Sequence, residues 1–480
     1  MTMVSHKSLA LLAQEMEGEL HYNELYRTLY ATDASVYRAL PEAVAIPKTV
    51  DDLRKLIGYA RQHGSSLIPR TAGTSLAGQC VGEGIVVDVS RHFRQILEWN
   101  AEEQWVRVQP GVVRDELNAY LQPYGYFFSP ITSTANRAMI GGMVGNNASG
   151  TTSIEYGVTR DKVLELKVLL SDGSAATFGP LSPAAFAAKC ELDTLEGQLY
   201  RQIREMLSDP ATRADIEAHF PKASIHRRNT GYAIDALLNN GVFGSGDEPF
   251  NFCKLLCGSE GTLAFITEIK LRVDPLPLPV PVVLAAHFRT IDASMRATQL
   301  AMRHAPSACE LMDKIILDCT KENITYRKHR FFIDGDPMAV LMIEFRAKTA
   351  EQAHARAASL ATDLAQAGLG YAYPIIPPQR VQEVWALRAA GLGLLANIPG
   401  DAKAVACIED TAVALADLPD YIREFSDLMR NFGQEPVYYA HAGAGELHLR
   451  PILNLKRAQD QARFYEISKA VAELVKKYQG

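Results

Sequence analysis

A chain of 480 residues, 48% of them hydrophobic and 22% charged, is long enough for two or three domains, each with a substantial core of its own. Its formal net charge of −6 argues against nucleic acid as a partner, and it means that an anionic ligand must be drawn in by local cations rather than by the field of the whole protein. The seven cysteines (Cys80, Cys190, Cys253, Cys257, Cys309, Cys319 and Cys407) show no C-x-x-C spacing, which argues against zinc-ribbon and iron–sulfur ligation within the chain and points to free buried thiols.

In chain order, residues 1–40 read as a helical arm, with Leu9, Leu12 and Met16 at helical spacing. Glu17 and Glu19 interrupt any signal-peptide core, and no segment holds ~18 consecutive apolar residues, so no membrane span and a cytoplasmic location are expected. Ala43-Val44-Ala45-Ile46 predicts a strand, Val50 to His63 a helix and Ser66-Leu67-Ile68 a second strand. That strand delivers Pro69-Arg70-Thr71-Ala72-Gly73-Thr74-Ser75-Leu76-Ala77-Gly78-Gln79, a loop of small residues. Gly73 and Gly78 remove the Cβ that would block close approach, and consecutive N–H groups in such a loop form an anion-binding concavity, so a pyrophosphate is the expected ligand.

A second run, Gly141-Gly142-Met143-Val144-Gly145-Asn146-Asn147-Ala148-Ser149-Gly150, repeats this chemistry, and the two together point to a large two-ended ligand such as a dinucleotide. Neither G-x-G-x-x-G nor G-x-x-x-x-G-K-[ST] occurs, so Rossmann and Walker readings lose their main support. Gly73-Thr74-Ser75-Leu76-Ala77 lacks the last glycine of a nucleophile elbow, which leaves Ser75 as a loop hydroxyl. Val163 to Leu170 predicts a strand, 180–246 is weak in pattern and reads as an insertion, and Leu263 to Leu271 predicts another strand. Proline at every second position of 275–281 marks an extended connection and a domain boundary. Beyond it the pattern predicts strand (282–288), helix (292–304), strand (339–346), helix (350–367), strand (404–410) and helix (420–431), an α+β domain with helices on one face of a mainly antiparallel sheet.

Two constellations in this second half carry chemistry. In His441-Ala442-Gly443-Ala444-Gly445-Glu446-Leu447-His448 a separation of seven places the imidazoles on opposite faces of a regular strand, so a shared site requires the glycines to bend the chain. Bent in this way, two neutral imidazoles converge on a divalent ion; otherwise each is a separately hydrogen-bonded residue. Trp385-Ala386-Leu387-Arg388 and Gly400-Asp401-Ala402-Lys403 supply two cations: arginine grips a carboxylate bidentately and lysine adds a point charge, the alternative for Arg388 being a helix-surface cation. Glu409-Asp410 is either close to the ion or a solvated acidic edge.

The pieces from about Pro41 to Pro275 stand in the order of the PCMH-type FAD-binding domain of the vanillyl-alcohol oxidase superfamily, which this part of the chain resembles. They are Pro69-Arg70-x-x-Gly73-Thr74-Ser75, Trp105-Val106-Arg107-Val108-Gln109-Pro110-Gly111-Val112, Ser133-Thr134-Ala135-Asn136, Gly141-Gly142, Asn147-Ala148-Ser149-Gly150, Tyr156-Gly157 and Gly258-Ser259-Glu260-Gly261-Thr262-Leu263. The resemblance implies a two-subdomain α+β fold over 41–275, a cap or substrate domain over 276–480, and FAD contacts in three groups. The first is Pro69, Arg70, Thr71, Ala72, Gly73, Thr74, Ser75, Gly78 and Gln79; the second is Pro130, Ser133, Thr134, Gly141, Gly142, Asn146, Ser149 and Gly150; the third is Glu260, Gly261 and Ile266. Tethered members of the superfamily commonly use a histidine in the first glycine-rich loop, and 69–79 has neither histidine nor cysteine, so the FAD is expected to be non-covalent.

His-x-Gly-x-Gly-x-x-His is similar to the metal motif of the FAD-dependent D-2-hydroxyacid dehydrogenases, the group of D-lactate, glycolate and D-2-hydroxyglutarate dehydrogenases. Ala444 stands where many members carry Asp, and Glu446 where many carry Asn. The likeness implies His441 and His448 as ligands of a divalent metal such as zinc, and Arg388, Lys403 and His448 as catalytic, the two cations holding the carboxylate of a small 2-hydroxy acid. Ser-Thr-Ala-Asn-Arg-Ala and Ile-Glu-Asp-Thr-Ala-Val resemble the longer bacterial members, in which an iron–sulfur region follows, so an electron acceptor or iron–sulfur protein is the implied partner. A Ser-Gly-Glu-His-Gly motif that completes the metal site in these relatives would begin just past Gly480. With two histidines alone the ion is expected to bind weakly and the isolated chain to turn over poorly. Two alternatives are a non-catalytic flavin-binding subunit of a larger dehydrogenase and an enolpyruvyl-type flavin reductase, and the paired histidines and long cap count against the second.

Overall fold

The computed structural model describes residues 6–228, 231–244, 246–321 and 323–480, so the first five residues of the N-terminal arm lie outside the described part. The chain divides into two compact units. Met1–Ala148, Val158–Phe220 and Asn229–Pro275 form one; Ser149–Gly157, Pro221–Arg228 and Leu276–Gly480 form the other. Two short stretches that nothing in the sequence pattern sets apart, 149–157 and 221–228, thus count with the second unit.

In the first unit, Ile85–Asp88 runs parallel between Ala43–Ile46 and Leu67–Arg70. All residues of Ala43–Ile46 and Ile85–Asp88 are buried, which is why both read as unbroken apolar runs rather than alternating ones. The crossover helix Val50–His63 starts in a capping box of Thr49 and Asp52 and stops at Gly64, whose φ of 65° is left-handed. The N-terminal arm is more than a helix. After His6–Glu15 comes the strand Glu19–His21, antiparallel to Ala43–Ile46 at the sheet edge; three residues are too few to leave a period in the sequence.

A second, antiparallel sheet has the order Ile96–Asn100, Trp105–Val108, Phe265–Arg272, Val163–Leu169, Ala175–Phe178. The weakly patterned region after 180 forms three helices, Pro183–Cys190, Leu195–Ser208 and Pro210–His219, capped by Ser182, Thr194 and Asp209. Its core is aromatic: the rings of Phe186 and Phe250 lie 4.8 Å apart and those of Tyr200 and Phe252 4.7 Å apart.

The second unit is built on one antiparallel seven-stranded sheet. Its long central strands, Val280–Phe288 and Ala339–Ala347, are covered on both faces. Val282, Leu284, Ala286 and Phe288 pack with the helices Ile291–Met302, Ala350–Gln366, Leu418–Asn431 and Ala458–Lys477. Val283 and Ala285 face the other way, toward Lys314–Cys319 and Pro378–Leu395. Helices therefore lie on both faces, not one, and the second layer carries Trp385 and Arg388. The expected strand 404–410 is reduced to Lys403–Ala404 and Thr411–Ala412, because the segment between them turns, with Asp410 at a φ of 59°. All seven cysteines are free thiols, and no helix among the described residues is long and apolar enough to cross a membrane.

Asp52 ties the arm to the sheet: its buried carboxylate accepts from the N–H groups of Glu17 (2.8 Å), Gly18 (3.0 Å) and Lys48 (2.9 Å). Burial alone would raise its pKa, but these donors outweigh burial and hold it below the ordinary aspartate value. Its stabilisation is therefore present above the unfolded pKa of ~4 and is lost as the pH falls through the lower folded value. Asp52→Ala is expected to cost about 3 kcal/mol by leaving buried donors unpaired. Urea unfolding at pH 7 checks this, and an unchanged midpoint would contradict it.

Candidate functional site

The loop after Leu67–Arg70 leaves the carboxyl edge of a parallel sheet, where ligands of such sheets collect. Gly73 and Gly78 have φ values of 65° and 74°. A Cβ on Gly78 would stand 2.7 Å from the Tyr37 ring. Ser75 accepts from the N–H groups of Ala77 and Gln79 and donates to Gln79 Oε1, so its hydroxyl braces the turn. The N–H groups of Gly73, Thr74 and Ser75 find no acceptor among the described residues, leaving three consecutive donors in one loop.

The first part of the second glycine run belongs to the short helix Ile140–Asn146, and 147–150 follow it without regular structure. Its small residues permit close approach: a Cβ on Gly141 would lie 2.5 Å from Pro110 Cβ, and one on Gly142 2.6 Å from Thr71 Oγ1. Gln79 Nε2 donates to Asn146 Oδ1 at 2.7 Å, linking the loop to this helix. The Glu260 N–H donates to Gly145 O at 2.9 Å, and a Cβ on Gly261 would meet Pro69 at 3.0 Å. Pro69, Arg70, Thr71, Asn146, Glu260 and Gly261 are thus drawn together. Elsewhere in this unit, Pro130 gives its carbonyl to Arg114 Nε, Ser133 is exposed, Thr134 is half-buried, and Ile266 lies in Phe265–Arg272. Ser149 Oγ is buried without a hydrogen bond, and Gly150 O accepts from Arg227; both residues belong to the second unit. Free loop donors and a cradle that added Cβ atoms would fill fit a dinucleotide.

The second unit gathers a buried charged cluster. Glu310, on the strand Ala308–Asp313, is 1% exposed. Its Oε2 accepts from Arg388 Nε (2.9 Å) and Nη2 (2.6 Å), and its Oε1 lies 2.9 Å from His441 Nδ1. Arg388 Nη1 also donates to Tyr439 Oη, which in turn donates to the Arg388 carbonyl. Burial would raise the Glu310 pKa, yet His441 and Arg388 bring it down to about 2. Burial keeps His441 itself neutral, its pKa lowered to about 3, so the full positive charge facing Glu310 is that of Arg388.

The His441–His448 segment bends as a shared site requires. A single turn at Ala442–Ala444 and Gly445, at a φ of 72°, feed the strand Glu446–Arg450, and the two imidazole centroids lie 5.1 Å apart. Both glycines are sterically required: a Cβ on Gly443 would lie 2.8 Å from Cys309 Cβ, and one on Gly445 2.2 Å from Val413 O. His448 Nδ1 lies 3.0 Å from Glu409 Oε2 and 3.2 Å from Asp410 Oδ1, without hydrogen-bond alignment. One ligand atom from each of these three residues fits within 4.8 Å, a spacing that suits co-ligands of a cation. Arg450 pairs with Glu409 (2.7 Å) and Arg227 with the fully buried Glu446 (2.6 Å), whose pKa burial pushes well up. Lys403 Nζ meets the Ile398 carbonyl at 2.5 Å, and Trp385 donates to Glu344.

Glu310, Tyr439, Arg227 and Arg450 were not among the residues singled out from sequence. An acid inside the apolar strand Ala-Cys-Glu-Leu-Met-Asp was the available signal for Glu310.

A loop of small residues on a parallel sheet beside an antiparallel one, and a separate antiparallel sheet with buried charge on one face, are the features that place the chain in its class of FAD-binding proteins. Residues 41–179 match the FAD binding domain model and residues 279–480 the model of the C-terminal domain of FAD linked oxidases. The chain belongs to this family of FAD-linked oxidases. It is 36% identical to D-2-hydroxyglutarate dehydrogenase of Pseudomonas putida over 98% of its own length and 47% of the relative's, and 34% identical to that of Escherichia coli over 97% and 46%. The chain thus spans about half the length of these curated relatives. Its fold is similar to that of p-cresol methylhydroxylase, with a TM-score of 0.65 at 12% identity over 98% of this chain and 88% of that one.

Gly78→Ala places a side chain at a left-handed φ and against Tyr37, at a conformational cost of roughly 1–2 kcal/mol. It is expected to lower the flavin-to-protein ratio after gel filtration while leaving the circular dichroism unchanged. Undiminished flavin would show that this loop does not hold the cofactor.

Proposed function

We propose that the protein oxidises a D-2-hydroxy acid of the D-2-hydroxyglutarate or D-lactate class to the 2-oxo acid, with non-covalently bound FAD as the acceptor. The observation that carries this reading is the convergence of Arg388 and His441 on the buried Glu310, with the half-buried His448 ring 5.1 Å from that of His441. The two named relatives, which bear the name of one such dehydrogenase, support the substrate class.

In the reaction the substrate's O–H bond and its C2–H bond both break and a C2=O double bond forms. A bound flavin supplies the two-electron chemistry, accepting the C2 hydrogen with its electron pair. The chain's own groups bind, orient and manage the proton. Lys403, whose ammonium donates to the Ile398 carbonyl, offers its charge to the substrate carboxylate. Arg388 has five N–H bonds, three of them directed to Glu310 and Tyr439, and the rest remain for the same carboxylate. His441 and His448, with Glu409 and Asp410 beside His448, form the pole that takes up the 2-hydroxyl, and the proton released from the O–H bond passes to His448. Glu409, Asp410 and His448 would hold a divalent ion, with His441 beside His448 as a further ligand; when bound, such an ion would lower the cost of the developing alkoxide. These two carboxylates supply donors that the paired histidines alone would lack. Electrons then leave to an acceptor, an iron–sulfur protein or region being the proposed class.

An anaerobic screen of D- and L-2-hydroxy acids against the yellow protein tests the reading. Bleaching by D acids only is expected; bleaching by neither enantiomer contradicts it. Lys403→Met should raise the KM for the acid by at least tenfold, since losing a charge-assisted contact in a partly desolvated site costs ~2–5 kcal/mol, and should leave FAD content unchanged. Acid precipitation should release all of the flavin, and colour retained in the pellet would show a covalent link.

A further inference from the structure

The two oxygens of Glu310 do different work. Oε2 is taken by the Arg388 fork at 2.9 and 2.6 Å, while Oε1 meets His441 Nδ1 at 2.9 Å. The strand Ala308–Asp313 alternates, sending Cys309 and Leu311 into one core and Glu310 and Met312 to the opposite face. On that face Arg388 arrives from the helix Pro378–Leu395 and His441 from the end of the strand Val437–Ala440, so backbone geometry fixes all three partners. A carboxylate facing a guanidinium stays ionised and only accepts, so the hydrogen in the contact with His441 belongs to Nδ1. A neutral imidazole has one N–H, and Nε2, which meets no hydrogen-bond partner among the described residues, then carries the lone pair.

We propose that Glu310 is a positioning residue: it holds His441 in the Nδ1–H tautomer and so leaves Nε2 as the atom available to bind a divalent ion beside His448. Arg388 acts on the same histidine through Glu310, because its charge keeps the carboxylate in its accepting form. A carboxylate behind a ligating histidine fixes ring orientation and raises ligand basicity. This inference rests on the reading of His441 and His448 as an ion-binding pair.

The test uses the whole 480-residue chain, labelled with 15N-histidine and stripped of metal. Long-range proton–nitrogen spectra, with His441 assigned by its loss in His441→Gln, report which ring nitrogen carries the hydrogen. The expected result is a protonated Nδ1; a proton on Nε2 in the unaltered protein overturns the proposal without recourse to any variant at Glu310. In Glu310→Gln the amide can offer either its oxygen or its NH2, so the preference for Nδ1–H should be lost. Affinity for Zn2+, read by competition with a chromophoric chelator, should fall about ten- to a hundredfold, with FAD content unchanged. Undiminished zinc affinity in Glu310→Gln, where His441→Gln and His448→Gln both lower it, overturns the proposal and leaves the ion-binding pair intact. Equal, negligible zinc binding by all four proteins instead removes the ion-binding pair, and the tautomer spectrum then decides the role of Glu310 alone.

Discussion

A carboxylate shut away from water, Glu310, is the group on which the arrangement of the second unit's site depends. Burying an isolated ion costs several kcal/mol even after the surroundings relax, and only good geometry with additional hydrogen bonds offsets that cost. Here the compensation comes from the two-pronged contact of Arg388 and the N–H of His441. The same requirement fixes the residues that supply it. Arg388 must keep its fork toward Oε2, Tyr439 closes on the guanidinium and the Arg388 carbonyl, and His441 must turn Nδ1 inward. The places of Arg388 and His441 are thereby fixed by one buried carboxylate.

Around this centre the other charges are matched from within. Arg450 faces Glu409 and Arg227 faces Glu446, while His448 stands between Glu409 and Asp410. Lys403 differs from these in meeting a backbone carbonyl rather than a carboxylate. A chain with a net charge of −6 can therefore hold an anion only where such a local cation remains available. In the first unit the analogous resource is the row of unspent N–H groups at Gly73, Thr74 and Ser75.

The sequence made much of this legible where a local rule has a local cause. The strand at Ala43–Ile46 and the helix at Val50–His63 coincide with the expected elements, because an unbroken apolar run and a capping box act over a few residues. The bend between His441 and His448 follows from the need for glycine at 443 and 445, and the structure shows the collisions that impose it. What stayed hidden depends on distant partners. The strand Glu19–His21 exists through its pairing with Ala43–Ile46, and the segment 405–410 is turned where a strand was expected, its carboxylates meeting His448 and Arg450. The helix Pro378–Leu395 covers the second face of the sheet, and Glu310 is held by residues 78 and 131 positions away, separations at which no period survives. The glycine run at 141–150 carried no signal of its own conformation: small residues that permit close approach serve a helix as well as a loop.

The central claim, that Glu310 and Arg388 are energetically one unit, is tested most directly by a double-mutant cycle. Glu310→Gln, Arg388→Met and the double variant would be compared with the parent by urea unfolding, followed at Trp385 with Trp99 and Trp105 replaced by Phe. Each single change strands a buried charge and should cost about 3–5 kcal/mol, whereas the double change should cost far less than the sum. Additive losses would contradict the account, because they would mean that the two groups are stabilised by separate partners.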